Sequence, residues 1–297
     1  MDKLSHEYIK YGPWMMEVKE PLDIPPQFES YQDQILAASY CFKVPIHGTR
    51  RDLKPGMLLY DQLVILEQST LTLLSMDKGE LRIQKVDYSD IDYIAHSGDL
   101  LLCHIQLFYG QSQITINYSL VSIDIAAKAV HIIREAMKST GKPFSLPEQL
   151  PPKQSKKQIY EYFLQREAIK EPVSILGFQA SRTLDDAPIK GFHQFLARIL
   201  KYKMQDVLFM TDAYDLIISN WGTDIIREKD TDYHVEHLFI AWPKISAISL
   251  QPHPHYPYLK SLQIETTFKT FSFSVEEDFS AVPLLEYFET EIAAAHA

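Results

Sequence analysis

The sequence predicts an α+β protein, mainly β: two small β-barrels or sandwiches, each closed by a C-terminal helix. Three observations carry this. Residues 63–94 run LVILEQSTLTLLS, a polar turn, then VDYSDIDYI, and the plan returns as VLFMTDAYDLIIS at 207–219 and WPKISAISL at 242–250. Apolar residues recur at every second position in both copies, which is the spacing of a strand with one buried face. Each copy then ends on a run with apolar residues at helical spacing.

The chain has 297 residues, enough for two cores, and its 46% hydrophobic and 23% charged composition is that of an ordinary globular protein. Its net charge of −10 makes the whole chain a poor match for nucleic acid or an anionic bilayer. Cys41 and Cys103 both lie in apolar runs and read as buried free thiols, with no disulfide framework. No signal-peptide pattern and no apolar run of membrane-spanning length is visible, so a cytoplasmic location is expected.

Residues 1–32 form an N-terminal arm whose knot of Trp14, Met15, Met16 and Val18 is expected to pack on the first domain. The first copy spans 33–138. It opens with the strand ILAASYCFKVP at 35–45, and Ile35-Leu36 is aligned with Ile175-Leu176 of the second opening, VSILGFQASRTL. Leu63, Ile65, Leu71 and Leu73 are predicted to share one buried face across a hairpin turning at Gln68-Ser69. Val207, Phe209, Leu216 and Ile218 do the same around Thr211-Asp212. A loop follows, short in the first copy and longer in the second (GTDIIREKDTDYHVEH). Then come DYSDIDYIAHS and PKISAISLQP, each leading into a further hairpin.

The closing helix of the first copy is predicted to bury Ile125, Ala126, Ala129, Val130, Ile133, Ala136 and Met137. That of the second buries Phe279, Val282, Leu285, Phe288 and Ile292. Residues 139–172 are a connector with five prolines and several lysines, its path extended and semi-rigid, with a short helix around Ile159, Tyr162 and Phe163. The second copy fills 173–297. It carries an insertion in which Phe192, Phe195, Leu196, Ile199 and Leu200 recur at helical spacing.

Six or seven strands and one closing helix in about a hundred residues describe a small curled sheet with a helical plug. Thr211-Asp212 followed by Leu216, and the isoleucine pairs Ile91/Ile94 and Ile245/Ile248 after Tyr88-Ser89-Asp90 and Pro243-Lys244, resemble the bacterial pleckstrin-homology-like (PH-like) domain family. The resemblance implies tandem PH-like domains. The basic residue that this family places beside the turn is replaced here by Ser69-Thr70 and Ala213-Tyr214. The scaffold serves lipid, peptide and self-assembly roles alike, so it assigns no single function.

No Gly-rich phosphate loop, nucleophile elbow or HExxH pair occurs, and no cofactor is expected. Two sets of residues are candidate sites. Arg50, Arg51 and Lys54 in one loop, with Lys190, Arg198, Lys201 and Lys203 on or beside the inserted helix, are candidates for lipid or anion binding. His234 and His237 in one loop and His253 and His255 in another are candidate zinc or nickel ligands if the loops meet. The reading that follows is a non-catalytic binding or scaffold protein, acting through contact with a protein partner or with itself. A peripheral membrane-surface binder is the alternative, and an enzyme with an interdomain site has the least support.

Overall fold

A computed structural model describes residues 3–12, 14–46, 53–138, 143–147, 172–184, 201–227, 229–230 and 234–292. The first copy and its arm hold strands β1 (Met16–Glu17), β2 (Tyr40–Pro45), β3 (Tyr60–Leu66), β4 (Thr70–Asp77), β5 (Glu80–Asp87), β6 (Ile91–Gly98), β7 (Leu102–Tyr109) and β8 (Ser112–Ser119). The second holds β9 (Ser174–Gln179), β10 (Arg182–Thr183), β11 (Tyr202–Met204), β12 (Val207–Thr211), β13 (Asp215–Trp221), β14 (Ile225–Arg227), β15 (Val235–Ala241), β16 (Ile245–Pro252), β17 (Leu259–Thr266) and β18 (Thr270–Glu276). The helices are α1 (Lys3–Lys10), α2 (Gln32–Ala37), α3 (Ile123–Lys138) and α4 (Val282–Tyr287), the last continued by a π-helical turn, Phe288–Ile292.

The chain is mainly β, and one order of elements occurs twice. Strands β2, β3, β4 and β5, a 3₁₀ turn at Tyr88–Asp90, then β6, β7, β8 and α3 are matched by β9, β12, β13 and β15, a 3₁₀ turn at Trp242–Lys244, then β16, β17, β18 and α4. Strands β10, β11 and β14 are additions that form a small sheet of their own. Among the described residues no sheet closes into a barrel. The chain divides into two compact units. One takes the described residues up to Ile91 and 101–138, and the other takes 92–100, most of β6, together with everything described from 143 onward.

In the first unit, β1 to β5 form an antiparallel sheet in chain order. The loop between β3 and β4 is three residues long, which puts Leu66 opposite Leu71, Val64 opposite Leu73 and Ile65 opposite Thr72. Opposed residues point to the same face of a sheet. Leu63 and Ile65 therefore lie on one face and Leu71 and Leu73 on the other, which corrects the expectation that all four share a face. Both faces are covered. Val18, Ile24 and Phe28 of the arm, with Ile35 of α2, pack over Cys41, Leu63, Ile65 and Leu74. Burial under this layer pushes the Cys41 thiol up to about 12.

Three further expectations change. Residues 32–37 are helix α2 rather than strand, and the strand begins at Tyr40. Counted from the hairpin turns, Tyr40 lies opposite Leu66 and Ser174 opposite Thr211, so Ile175 corresponds to Cys41 and not to Ile35. The short loop after β4 contains a whole strand, β5, entered through a two-residue turn at Lys78 and Gly79, both at positive φ. Helix α3 lies by β3 and the 3₁₀ turn. It buries Ala126, Ala127, Ala129, Val130 and Ile133 fully, and Ile125, Ala136 and Met137 only in part.

Glu17 on β1 ties three elements together. It accepts from Lys128 Nζ of α3 at 2.8 Å and from Tyr40 Oη of β2 at 3.0 Å, and it pairs with Lys19 at 2.8 Å. The hydrogen bond from Lys128, then that from Lys19, holds its carboxyl at about 2, below the ordinary 4.5. A carboxylate with a depressed folded value stabilises above its ordinary value and loses that effect as pH falls toward the folded one. Lys128→Met is expected to lower the urea midpoint near neutral pH, with the difference from the parent shrinking towards pH 2. An equal difference at both pH values excludes the Glu17 contact as its source.

In the second unit, β6, β15, β13, β12 and β9 form one antiparallel sheet and β16, β17 and β18 another. Val207, Phe209, Leu216 and Ile218 share a face here, because Phe209 lies opposite Ile218 and Thr211 opposite Leu216. That face looks onto the second sheet: the Phe209 ring meets Phe273 at 5.5 Å, edge to face, and Phe279 at 5.9 Å. Gly177 admits Phe279, since a Cβ there would stand 3.0 Å from its Cζ. Helix α4, which lies by β9, buries Leu284 and Tyr287, while Val282 is 53% exposed. The predicted stripe is thus displaced, because Tyr287 turns in to meet Trp242, centroids 5.1 Å apart. The inserted helix and the connector's short helix fall outside the described residues. Of the connector, Phe144 donates its amide to Ala213 O at 2.9 Å, and Pro147 O accepts from Ser174 Oγ at 3.1 Å.

Candidate functional site

The interior face of the large sheet in the second unit turns polar at one end. Going along β13 the inward positions are Leu216, Ile218 and Asn220, and on β15 they are Ile240, Leu238 and Glu236. Asn220 and Glu236 stand opposite each other where the strands run out. Just beyond, Gly222 donates to His234 O at 3.0 Å, and a Cβ on Gly222 would sit 2.2 Å from His234 Cδ2. Two residues on, Asp224 reaches Ser274 of β18. The result is a cavity of about 220 Å³ between the sheets, floored by Val207 and Leu238 and walled by Phe271 and Phe273.

Four side chains give it its chemistry. Asp224 Oδ2 accepts from Ser274 N at 3.0 Å and Ser274 Oγ at 2.5 Å, which fixes the carboxylate. Burial raises its pKa despite those bonds. Burial likewise raises that of Glu236, against the pull of Lys269, His234 and the Asn220 amide. Lys269 stands at the rim with Nζ 4.3 Å from the Phe271 centroid and 5.3 Å from that of Tyr93, and burial lowers its pKa. Asp224 Oδ1 and Asn220 Oδ1 are buried and accept no hydrogen bond among the described residues. Perturbed ionisable groups in a cleft make it a candidate binding site.

The sequence offered no contiguous motif for this set. Asp224 and Glu236 sit in the stretch read as a variable loop, where charge reads as solvated. The usable signal was the alternation itself, which passes from Leu216 and Ile218 to Asn220 on one strand and from Ile240 and Leu238 to Glu236 on its neighbour.

Among the described residues, the candidate site residues expected from sequence are not brought together. Arg50, Arg51, Lys190 and Arg198 fall outside the described residues. Lys54 is exposed. Lys201 is exposed in a turn at positive φ, and Lys203 is in strand β11 opposite Thr183 and Ile226 rather than on a helix. His237 lies within β15 rather than in a loop, fully buried and opposite His96 and Ser219 on the face turned away from the cavity. His253 and His255 lie in the β16–β17 hairpin. There His253 Nδ1 accepts the amides of His255 and Tyr256, both at 3.1 Å, so that nitrogen shapes the turn. Tyr256 and Tyr258 of this hairpin pack with Leu184, Met204 and Leu259 against the small added sheet. Among the described residues no three His, Cys, Asp or Glu side chains come together in a metal-binding group.

Fold and cavity define a mainly β protein with a partly polar pocket between two open sheets. No protein-family model matches the chain, and no curated protein matches it. Among the described residues no helix is long and apolar enough to cross a membrane.

Proposed function

We propose that the protein is a non-catalytic binding protein of two tandem PH-like domains, which makes protein–protein contact by pairing a strand onto a sheet edge. The repeated order of four strands, three strands and a helix supports the domain assignment. One difference between the copies carries the contact. Along the outer edge of β15 runs β6, antiparallel, from Gly98 opposite Val235 to Tyr93 opposite Ile240. The corresponding strand of the first copy is β5, which ends its sheet and is exposed at every residue but Val86. The same edge is filled in one copy and, among the described residues, open in the other.

An open edge is a row of unpaired amides and carbonyls, and it recruits strands. The two-residue turn makes Asp77 and Glu80 a hydrogen-bonded pair, so the amides of Leu81, Ile83 and Lys85 point outward. A second copy of the chain fits this edge with Ile83 on the two-fold axis, Leu81 against the Lys85 stem and Arg82 against Gln84. Leu81 and Ile83, 36% and 53% exposed, supply the apolar contact. The ion pair of Arg82 with Asp77 at 2.5 Å, and Lys85 beside it, keep the pairing reversible.

Light scattering after size exclusion tests this. The parent is expected to show a mass that rises with concentration toward a dimer. Ile83→Pro removes an outward amide without touching the β4 ladder, and is expected to stay monomeric with unchanged far-UV circular dichroism. The reading fails if the two proteins have the same mass at every concentration and also retain the same proteins from a lysate.

A further inference from the structure

The pairing of β6 with β15 has a second half that the chain leaves open. We infer that the outer edge of β16 takes the β5 strand of another copy, so that copies join head to tail through the pairing that β6 already makes with β15. The inference rests on the reading of β5 as a strand-recruiting edge and names a further strand for it. A two-fold β5 dimer leaves both of its β16 edges open, so the two contacts are compatible within one assembly.

Strands β6 and β16 are counterparts: each follows a 3₁₀ turn, at Ile91 and at Ile245, and each opens the run of three strands before a closing helix. The outer edge of β6 is filled by β15, whereas β16 ends its sheet among the described residues. Strands β15 and β5 are counterparts too, since Ile240 lies opposite Leu216 and Val86 opposite Leu71. One contact between a β6-type and a β15-type strand is therefore made within the chain. Its other members, β16 and β5, are both edges.

The register of the filled contact specifies the open one. Tyr93 opposite Ile240, Ile94 opposite Phe239, His96 opposite His237 and Gly98 opposite Val235 translate to Ala247 opposite Val86, Ile248 opposite Lys85, Leu250 opposite Ile83 and Pro252 opposite Leu81. The hydrogen-bond directions of β16 and β5 fit these pairs. His253 donates to Leu259 O at 3.1 Å, so along β16 Gln251 and Ser249 bond to β17, and Ile248 and Leu250 turn their backbone groups outward. They meet Lys85 and Ile83, whose amides also point outward. A register one residue away sets outward groups against inward ones. The side chains match as well. One face brings Leu250 and Pro252 onto the exposed Ile83 and Leu81, and the other brings Gln251 onto Arg82 and Ser249 onto Gln84, polar on polar. Pro252 has no amide to donate, so the ladder weakens at that end.

Two full-length variants, each keeping one edge, test this. Leu250→Pro removes an outward amide of β16 without touching the β17 ladder and keeps β5, and Ile83→Pro does the reverse. With far-UV circular dichroism like the parent's, immobilised Leu250→Pro is expected to retain Ile83→Pro, and immobilised Ile83→Pro to retain none of itself. Cysteines give a second reading that needs no proline. The register sets Gln84 opposite Ser249 in a non-hydrogen-bonded pair, with Cα atoms about 4.5 Å apart and within reach of a disulfide. Gln84→Cys mixed with Ser249→Cys is therefore expected to give an interchain disulfide under mild oxidation. The inference is overturned if Ile83→Pro is not retained, or if no mixed disulfide forms. Retention of Leu250→Pro by itself alone then leaves the β5 reading standing, and retention by no pair removes both.

Discussion

Lys43→Met is expected to destabilise the protein by about 3–5 kcal/mol, because it removes the cation of a buried ion pair. Lys43 projects from β2 beneath the arm, and only 4% of its side chain is exposed. Its Nζ donates to Glu7 Oε1 of α1 at 3.0 Å and to Asp23 O at 2.7 Å, and stands 4.3 Å from the Tyr60 centroid. Glu7 is 1% exposed, so the pair is screened from water on both sides. Removing one partner leaves a charge in low dielectric, whereas removing both leaves a packing problem only. Adding Glu7→Leu to Lys43→Met is therefore expected to recover most of the loss in urea unfolding. The arm gives a second readout. It covers Cys41, so Lys43→Met is expected to speed modification of that thiol by a disulfide reagent, and the double substitution to slow it again. A Lys43→Met protein as stable as the parent, with Cys41 still inert, removes the ion pair as the arm's fastening.

Trp242→Ala is expected to cost about 3–5 kcal/mol through loss of a large buried side chain. Trp242 opens the 3₁₀ turn between the two sheets of the second copy and is fully buried. Its Nε1 donates to Thr211 Oγ1 at 3.0 Å, its amide donates to Tyr214 O at 3.1 Å, and its ring lies against Tyr287 of α4. It thus fastens the β12–β13 hairpin, the turn and the closing helix at one point. The hairpin side is itself pre-shaped, since Asp212 Oδ1 accepts the amides of Tyr214 at 3.1 Å and Asp215 at 3.0 Å. Trp242→Phe keeps most of the packing and leaves the Thr211 hydroxyl without the indole donor, so a smaller loss of about 1–2 kcal/mol is expected. Thr211→Val combined with Trp242→Phe should cost less than the sum of the two, since both delete the same bond. Strict additivity shows that the bond contributes nothing.

The duplication was legible because hydrophobic alternation and turn residues are local. The hairpins at Gln68-Ser69 and Thr211-Asp212 fall where the residues place them. What local pattern cannot report is what covers a strand's second face. Leu63 and Ile65 read like Val207 and Phe209, yet they face the arm: the two hairpins share one register, Leu66 opposite Leu71 and Thr211 opposite Leu216, so Val64 and not Leu63 or Ile65 stands in the place of Phe209. Strand β5 was hidden because it is an exposed edge, and its residues carry little apolar signal beyond Leu81 and Ile83. His237 looked like a loop ligand because its neighbours are polar, although its strand pairs on both sides and buries it.

By itself the sequence determined the class of the fold and the doubling of its elements, since both follow from periods of two and three-to-four residues read along the chain. Only the tertiary structure decided the candidate sites. Asn220, Asp224 and Glu236 share a cavity with the distant Lys269 only after two sheets face each other. The contrast between the open β5 edge and the filled β15 edge exists only once β6 is paired. Convergence of distant residues is set by packing and register, and neither is encoded in any one segment.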